Sequence, residues 1–177
     1  MYNFTFHVPT TIHFGKGQIS HLDELAQYGK KALLCYGGGS IKRNGIYDEA
    51  LRILGQVGVE VEELSGVEPN PRIETVRRGV ETCKTTGVDM VLAIGGGSTI
   101  DCAKVVAAGA RYDGDPWDLV IHPEKITAAL PIFSVLTLSA TGSEMDPFAV
   151  ISDMTKNEKW GTAAEWEAKK AAKAGNV

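Results

Sequence analysis

Two runs of Gly-Gly-Gly-Ser, Gly37–Ser40 and Gly95–Ser98, each stand straight after an apolar stretch, and the second begins 58 residues after the first. Glycine at a strand-to-helix corner allows positive φ angles and removes the side chain, so a ligand can approach the backbone closely. The helix that follows offers unpaired N–H groups and the positive end of its dipole, which suits a phosphate. Ser40 and Ser98 add hydroxyls, either as ligand contacts or as helix N-caps. In the second run, Ser98 with Asp101 three residues on has the spacing of a capping box. A third polar stretch, "TLSATGSEMD", brings Thr137, Ser139, Thr141 and Ser143 together around Gly142 after another apolar run. Two glycine corners and a hydroxyl-rich loop on one edge predict a ligand with two anionic or ribose groups. Neither corner follows G-x-G-x-x-G, because Lys42 and Ile100 stand where the third glycine belongs, and no G-K-[ST] is present.

The elements that must position these corners follow from hydrophobic period. "TIHFG" reads as a short strand, and "GQISHLDELAQYG" as a helix with Ile19, Leu22 and Leu25 on one face. "KALLCY", "DMVLAI" and "ALPIFSVLTL" are continuous apolar strands, whereas "VEVEEL" alternates and fits a strand nearer the sheet edge. Between them lie the helical runs "GIYDEALRILGQVG", "IETVRRGVETCKTTG" and "STIDCAKVVAAGA", and Pro69 and Pro71 hold off a helix until about Arg72. Alternating strand and helix at this spacing predicts an α/β fold, a Rossmann-like parallel sheet with helices on both faces. The corners then fall at the carboxyl ends of strands, the edge where open α/β sheets bind ligands.

Composition excludes several classes. A net charge of −4 over 177 residues leaves no electrostatic footprint for nucleic acid or an anionic membrane. No apolar run approaches the length of a spanning helix, and "MYNFTFHVPTTIHFG" lacks a signal peptide's basic start and apolar centre. Cys35, Cys83 and Cys102 are scattered, which fits reduced thiols and a cytoplasmic location. The four histidines, His7, His13, His21 and His122, show no ligand spacing, so the sequence predicts no metal site.

Several motifs, in order, carry a resemblance: "VPTTIHFGKGQI", "YGGGSIKRNGIYDEAL", "SGVEPNPRIETVRRGVE", "AIGGGSTIDCAKVVAAGA", "LPIFSVLTLSATGSEMDPFAVISD" and "NEKWGT". Together they resemble the N-terminal domain of the iron-containing (group III) alcohol dehydrogenases, most of all the butanol dehydrogenase-like, NADPH-preferring branch. The resemblance runs from residue 1 to about residue 162. It implies a cofactor domain similar to that of dehydroquinate synthase and glycerol dehydrogenase. In the family a helical domain, absent here, follows with a divalent metal, iron or zinc, on one Asp and three His. That metal polarises the alcohol oxygen for hydride transfer.

Carried over by motif, Gly37, Gly38 and Ser40 flank the adenosine ribose, and Gly96, Gly97 and Ser98 cradle the pyrophosphate. Asp101 lies near the nicotinamide ribose, Thr137 and Thr141 contact the phosphate and nicotinamide side, and Lys159 reaches the ribose. An acid after the first strand would repel a 2′-phosphate. Here only glycines and Ser40 stand there, with Lys42 and Arg43 beside them, so NADP is the expected cofactor, with NAD as the alternative. Relatives commonly carry a neutral residue at Asp146, which leaves its contact open.

Beyond Thr162 the pattern gives way to "AAEWEAKKAAKAGNV", rich in Ala, Glu and Lys. The division expected is a dinucleotide-binding domain over 1–162 and a helical tail over 163–177, opened by a Thr162–Glu165 capping box and written as a designed helix would be. The expected role is the cofactor domain of a metal-dependent NAD(P)H alcohol dehydrogenase, inactive alone and prone to self-associate through the face the helical domain would cover. A stand-alone binding module for NADP or another phosphorylated ligand is one alternative. A dehydroquinate synthase-like lyase fragment, which shares "GGGxxxDxAK", is the other.

Overall fold

Strand β3 (Met90–Gly95) is apolar throughout, and β1 (Lys31–Tyr36) is buried from Ala32 onward, because side chains on both of their faces are covered. In the computed structural model, which describes residues 8–163, the alternation divides cleanly between two layers. Leu33, Cys35, Val91 and Ala93 face a layer built by α3 (Ile73–Thr86), α4 (Gly97–Gly109) and α5 (Pro116–Ile121). Ala32, Leu34, Tyr36, Met90, Leu92 and Ile94 face the opposite layer, formed by a 3₁₀-helix (Gln18–Gln27), α1 (Ser40–Arg43) and α2 (Ile46–Gln56). Burial of each Leu, Val, Ile and Met side chain in these layers contributes about 1.5–3 kcal/mol, and a double-sided core is how a parallel sheet obtains it.

The sheet is four-stranded and parallel, in the order β2-β1-β3-β4, with β2 at Glu60–Leu64 and β4 at Ile132–Leu136. From β1 the chain steps outward to β2, then returns to lay β3 on the other side of β1. The reversal opens a crevice between the carboxyl ends of β1 and β3, the place where α/β sheets take ligands. An antiparallel pair, β5 (Phe148–Asp153) and β6 (Glu158–Ala163), packs beside α4 and α5. It is tied to the main body by Ser152 N–H donating to Pro71 O at 2.9 Å and by Thr162 Oγ1 donating to Leu119 O at 2.7 Å.

Several sequence expectations are revised. "TIHFG" forms no strand; the described part of the N-terminal segment runs up to the 3₁₀-helix without a sheet partner. Residues 18–27 wind as 3₁₀ rather than α, which suits Ile19, Leu22 and Leu25, since a three-residue repeat stacks them on one side. Thr162 is not a helix cap: it sits inside β6, paired with Ala149, and β6 runs on to Ala163. The tail from residue 164, and His7, lie outside the described residues. Among those described, no helix is long and apolar enough to cross a membrane.

Two glycines test the packing directly. A side chain at Gly79 on α3 would meet Leu64 Cδ2 at 2.7 Å and Val106 Cγ2 at 2.8 Å, whereas at Gly55 on α2 it would meet open space. Gly79→Val is therefore expected to destabilise by about 1–3 kcal/mol through overpacking. Gly55→Ala should stabilise by about 0.5–1 kcal/mol, because helical glycine carries the larger entropic cost. Urea denaturation of the two variants checks both signs.

Candidate functional site

The first glycine corner leaves β1 at Tyr36. Gly39 takes φ 88°, a left-handed conformation that sets the start of α1, and the N-cap position is Gly39 itself. Ser40 is thus the first helical residue and not a cap. A side chain at Gly38 or Gly39 would meet nothing within 4 Å, so the corner faces open space. The segment after β2 holds it from the side: Gly66 N–H donates to Gly37 O at 3.3 Å and Val67 N–H to Tyr36 O at 3.1 Å.

The second corner leaves β3 through Gly95 and Gly96, and Gly96 caps α4 with an extended backbone at φ −93°. Ser98 accordingly lies inside the helix, and the Ser98–Asp101 capping box does not form. Gly95 is required for space, since a Cβ there would run into the Thr99 side chain. At Gly97 a Cβ would come within 3.1 Å of Thr141 Oγ1, which places the hydroxyl loop against this corner. Thr137 N–H donates to Gly95 O at 2.9 Å, so the loop after β4 is laced to the end of β3. The N–H groups of Gly97 and Ser98 find no acceptor among the described residues, as expected for the first turn of a helix.

Asn70 joins the second corner to Lys159, a link with no local signature around either residue. Its backbone N–H donates to Ser98 Oγ at 3.3 Å, and its Oδ1 accepts from Lys159 Nζ at 2.7 Å. It does so from φ 58°, a left-handed angle that asparagine tolerates better than most residues. The sequence signals only the turn, through an Asn between Pro69 and Pro71, where a tight turn needs that angle. Lys159, on β6, is thereby held to Asn70, 89 residues away in sequence, and through it to the second corner.

Asp101 is engaged inside the protein. Its Oδ1 accepts from Ser143 Oγ at 2.6 Å and its Oδ2 from Val150 N–H at 2.9 Å. Beside it, Lys104 Nζ donates to Ser143 Oγ at 2.9 Å, Asp146 Oδ1 at 3.1 Å and Phe148 O at 2.7 Å. Asp146 also accepts from Phe148 N–H at 2.8 Å. The contact of Asp146, open in sequence, is thus an ion pair with Lys104 that offsets its charge. These bonds staple the hydroxyl loop and β5 to α4.

The cations beside the first corner are arranged less simply than their types suggest. Lys42 Nζ lies 4.3 Å from the Tyr47 ring centre, 5.1 Å from that of Tyr36 and 3.6 Å from Glu63 Oε2. Both tyrosine hydroxyls donate to the Glu63 carboxylate, Tyr47 at 2.5 Å. Desolvation pushes the Glu63 carboxyl upward, but the two hydroxyls and the Lys42 ammonium outweigh it and hold it below the usual carboxylate range. The cysteines take no part: all three are buried free thiols, and burial pushes Cys83 and Cys102 up to about 12.

The sites predicted from sequence therefore gather at one edge. Gly37, Gly38 and Ser40 line one side of the crevice; Gly96, Gly97, Ser98, Thr137 and Thr141 line the other, with Lys159 linked in through Asn70. Asp101, behind them, accepts from Ser143 Oγ and Val150 N–H. A phosphate-bearing ligand fits this set, since open space above one corner and unpaired N–H groups at the other are what such a ligand fills. No metal-type cluster accompanies these residues among those described.

Because the Glu63 carboxyl is depressed in the folded protein, it adds stability above its unfolded value of about 4.3 and loses that contribution as pH falls through the folded value. The stability advantage of the native chain over Glu63→Gln is expected to be present at neutral pH and to vanish in strong acid. Denaturant titrations at several pH values check this.

Known proteins resemble the chain over nearly all of it. The iron-containing alcohol dehydrogenase family matches residues 9–168. An NADH-dependent butanol dehydrogenase A of Clostridium acetobutylicum is 60% identical over 162 residues, covering 91% of this chain and 42% of the relative. The NADPH-dependent aldehyde reductase YqhD of Escherichia coli is 43% identical over 162 residues, 90% of this chain and 41% of its own length. The crystal structure of a Thermotoga maritima NADH-dependent butanol dehydrogenase A superposes with a TM-score of 0.89 at 50% identity, over 92% of this chain and 42% of that one. The chain thus spans about two-fifths of the length of these relatives. With the family matched across the sheet, both glycine corners and the hydroxyl loop, the chain belongs to the iron-containing alcohol dehydrogenases.

Proposed function

We propose that this chain is the nicotinamide dinucleotide-binding domain of a metal-dependent alcohol dehydrogenase that interconverts primary alcohols and aldehydes. The observation that carries the reading is the pair of glycine corners flanking the β1–β3 crevice, one open and one presenting unpaired N–H groups. When bound, the dinucleotide supplies or accepts the hydride, and the family's divalent metal supplies Lewis-acid chemistry. The residues of this chain bind and orient. Gly96, Gly97 and Ser98 receive the pyrophosphate, and Gly37, Gly38 and Ser40 the adenosine ribose. Thr137 and Thr141 border the nicotinamide side, and Lys159 reaches the ribose side through its link to Asn70. No described side chain is placed to transfer a proton in the reaction, so the chain alone is expected to turn over little alcohol. Exposed Leu138, Met145 and Phe148 on and beside the hydroxyl loop support an apolar face that self-associates or takes further structure.

The cofactor proposed is NADP, with NAD also accommodated. No acid follows β1 within the glycine corner, and Arg43 stands at its rim. Lys42 is shared with Glu63, so its charge is only partly available to a 2′-phosphate. The relatives include butanol dehydrogenases named for NADH and an aldehyde reductase named for NADPH.

Fluorescence titration with NADPH and NADH tests the reading. Saturable binding by the native chain, abolished in Gly97→Asp, is the expected result. The new carboxylate would stand against Thr141 and repel the pyrophosphate. Failure of a folded chain to bind either dinucleotide would overturn it. Glu63→Gln is expected to free Lys42 and raise the preference for NADPH over NADH several-fold. A ratio that does not move removes Lys42 from 2′-phosphate recognition.

A further inference from the structure

We propose that His13, His21 and Glu24 form a binding site for a divalent transition-metal ion of the zinc type, one that ties the entering segment to the first helix. None of these residues belongs to the glycine corners or the hydroxyl loop, so the proposal stands apart from the dinucleotide reading. Their sequence separation conceals them; the fold brings them together. A 3₁₀-helix places residues i and i+3 directly above one another, and His21 and Glu24 have that spacing. Glu24 Oε1 lies 2.6 Å from His21 Nδ1, while Glu24 Oε2 lies 3.8 Å from His13 Nε2. His13 arrives from the segment before the helix and stacks on His21 with ring centres 3.7 Å apart and planes 13° from parallel. One ligand atom from each of the three lies within 4.8 Å of the others.

Two imidazole nitrogens and one carboxylate oxygen are a donor set that zinc and its borderline neighbours accept, with metal–ligand distances of about 2.0–2.2 Å. Around a tetrahedral ion such donors stand about 3.3–3.5 Å apart, so the His21–Glu24 pair must open slightly and His13 must close in. The near-parallel rings must also tilt, because stacked imidazoles aim their lone pairs along similar directions. All three side chains have room for this: they are 35%, 39% and 44% exposed for His13, His21 and Glu24. The charges favour it as well. Two neutral imidazoles and a carboxylate carry a net −1, which a divalent cation turns to +1. The fourth position is left to water. The structural effect is a clasp, since the described residues before Gly15 have no sheet partner and gain an anchor on the helix that packs over β1.

The test is a calorimetric titration of the chelator-treated 177-residue chain with zinc, with NMR of the histidine ring resonances in parallel. The expected result is one equivalent bound in the micromolar range, with the His13 and His21 signals moving together and those of His122 unmoved. His13→Ala and His21→Ala should each weaken binding by at least about tenfold, while His122→Ala, beside exposed Glu124, leaves it intact. Cobalt substitution should give visible absorption that the two variants lose. Zinc binding undiminished in His13→Ala would overturn the proposal, as would the absence of saturable binding by a folded native chain. The ring resonances report on the native protein directly, so a variant that folds poorly does not leave the question unanswered.

Discussion

The order of the parallel strands governs everything at the ligand edge. Because β1 and β3 are neighbours and the chain departs from them in opposite directions, their two following loops cannot cover one another. A crevice is left between them, with backbone at its floor. That backbone carries unpaired N–H groups wherever a helix begins, and a side-chain-free corner leaves them available. Repetition of the glycine run is the chemical consequence: each side of the crevice needs a corner without a Cβ. The roles differ in detail. Gly95 is held to glycine by Thr99, Gly39 by its left-handed φ, and Gly38 by neither.

What keeps the edge in register is polar. Asp101 and Lys104 stand one turn apart on α4 and between them hold Ser143, Asp146, Phe148 and Val150. Charge-assisted bonds of this kind are shorter and stronger than neutral ones, and several share one partly buried locality. The consequence is that the hydroxyl loop, which otherwise has little regular structure, is fixed against the corner whose N–H groups it borders. Asp101 holds the loop through Ser143 and β5 through the Val150 N–H.

Much of this was legible in the chain itself, for physical reasons. Strands buried on both faces read as unbroken apolar runs, and β2, at the edge, reads as an alternation. The glycine corners announced themselves because no core or helix asks for three glycines after a strand. The misreadings share a cause as well. "TIHFG" has the composition of a strand, but β character is a matter of having a partner, and none is at hand among the described residues. Of the two roles open to Ser40 and Ser98, the structure removes the N-cap, since Gly39 and Gly96 already take the cap positions. Thr162 lost its cap role to strand pairing. Contacts far apart in sequence, Lys159 with Asn70 or Lys104 with Asp146, carry no local signature at all.

The first corner shows why residue type alone underdetermines electrostatics. Lys42 beside a glycine corner invites a phosphate, but its ammonium is already held between two aromatic faces and a carboxylate. The same carboxylate, at the end of β2, is where many dinucleotide folds keep the acid that favours an unphosphorylated ribose. Here it is occupied by two tyrosine hydroxyls as well as by the lysine. Acid and base near the corner therefore partly cancel, and neither acts with its full charge on an arriving ligand. Under the dinucleotide reading proposed above, a corner balanced in this way is expected to discriminate weakly between NADP and NAD, with the partners of Glu63 setting the direction. In that light it is coherent that relatives of similar sequence include one named for each cofactor. On that reading, the charges that surround the glycines set the selectivity, while the glycines supply the room.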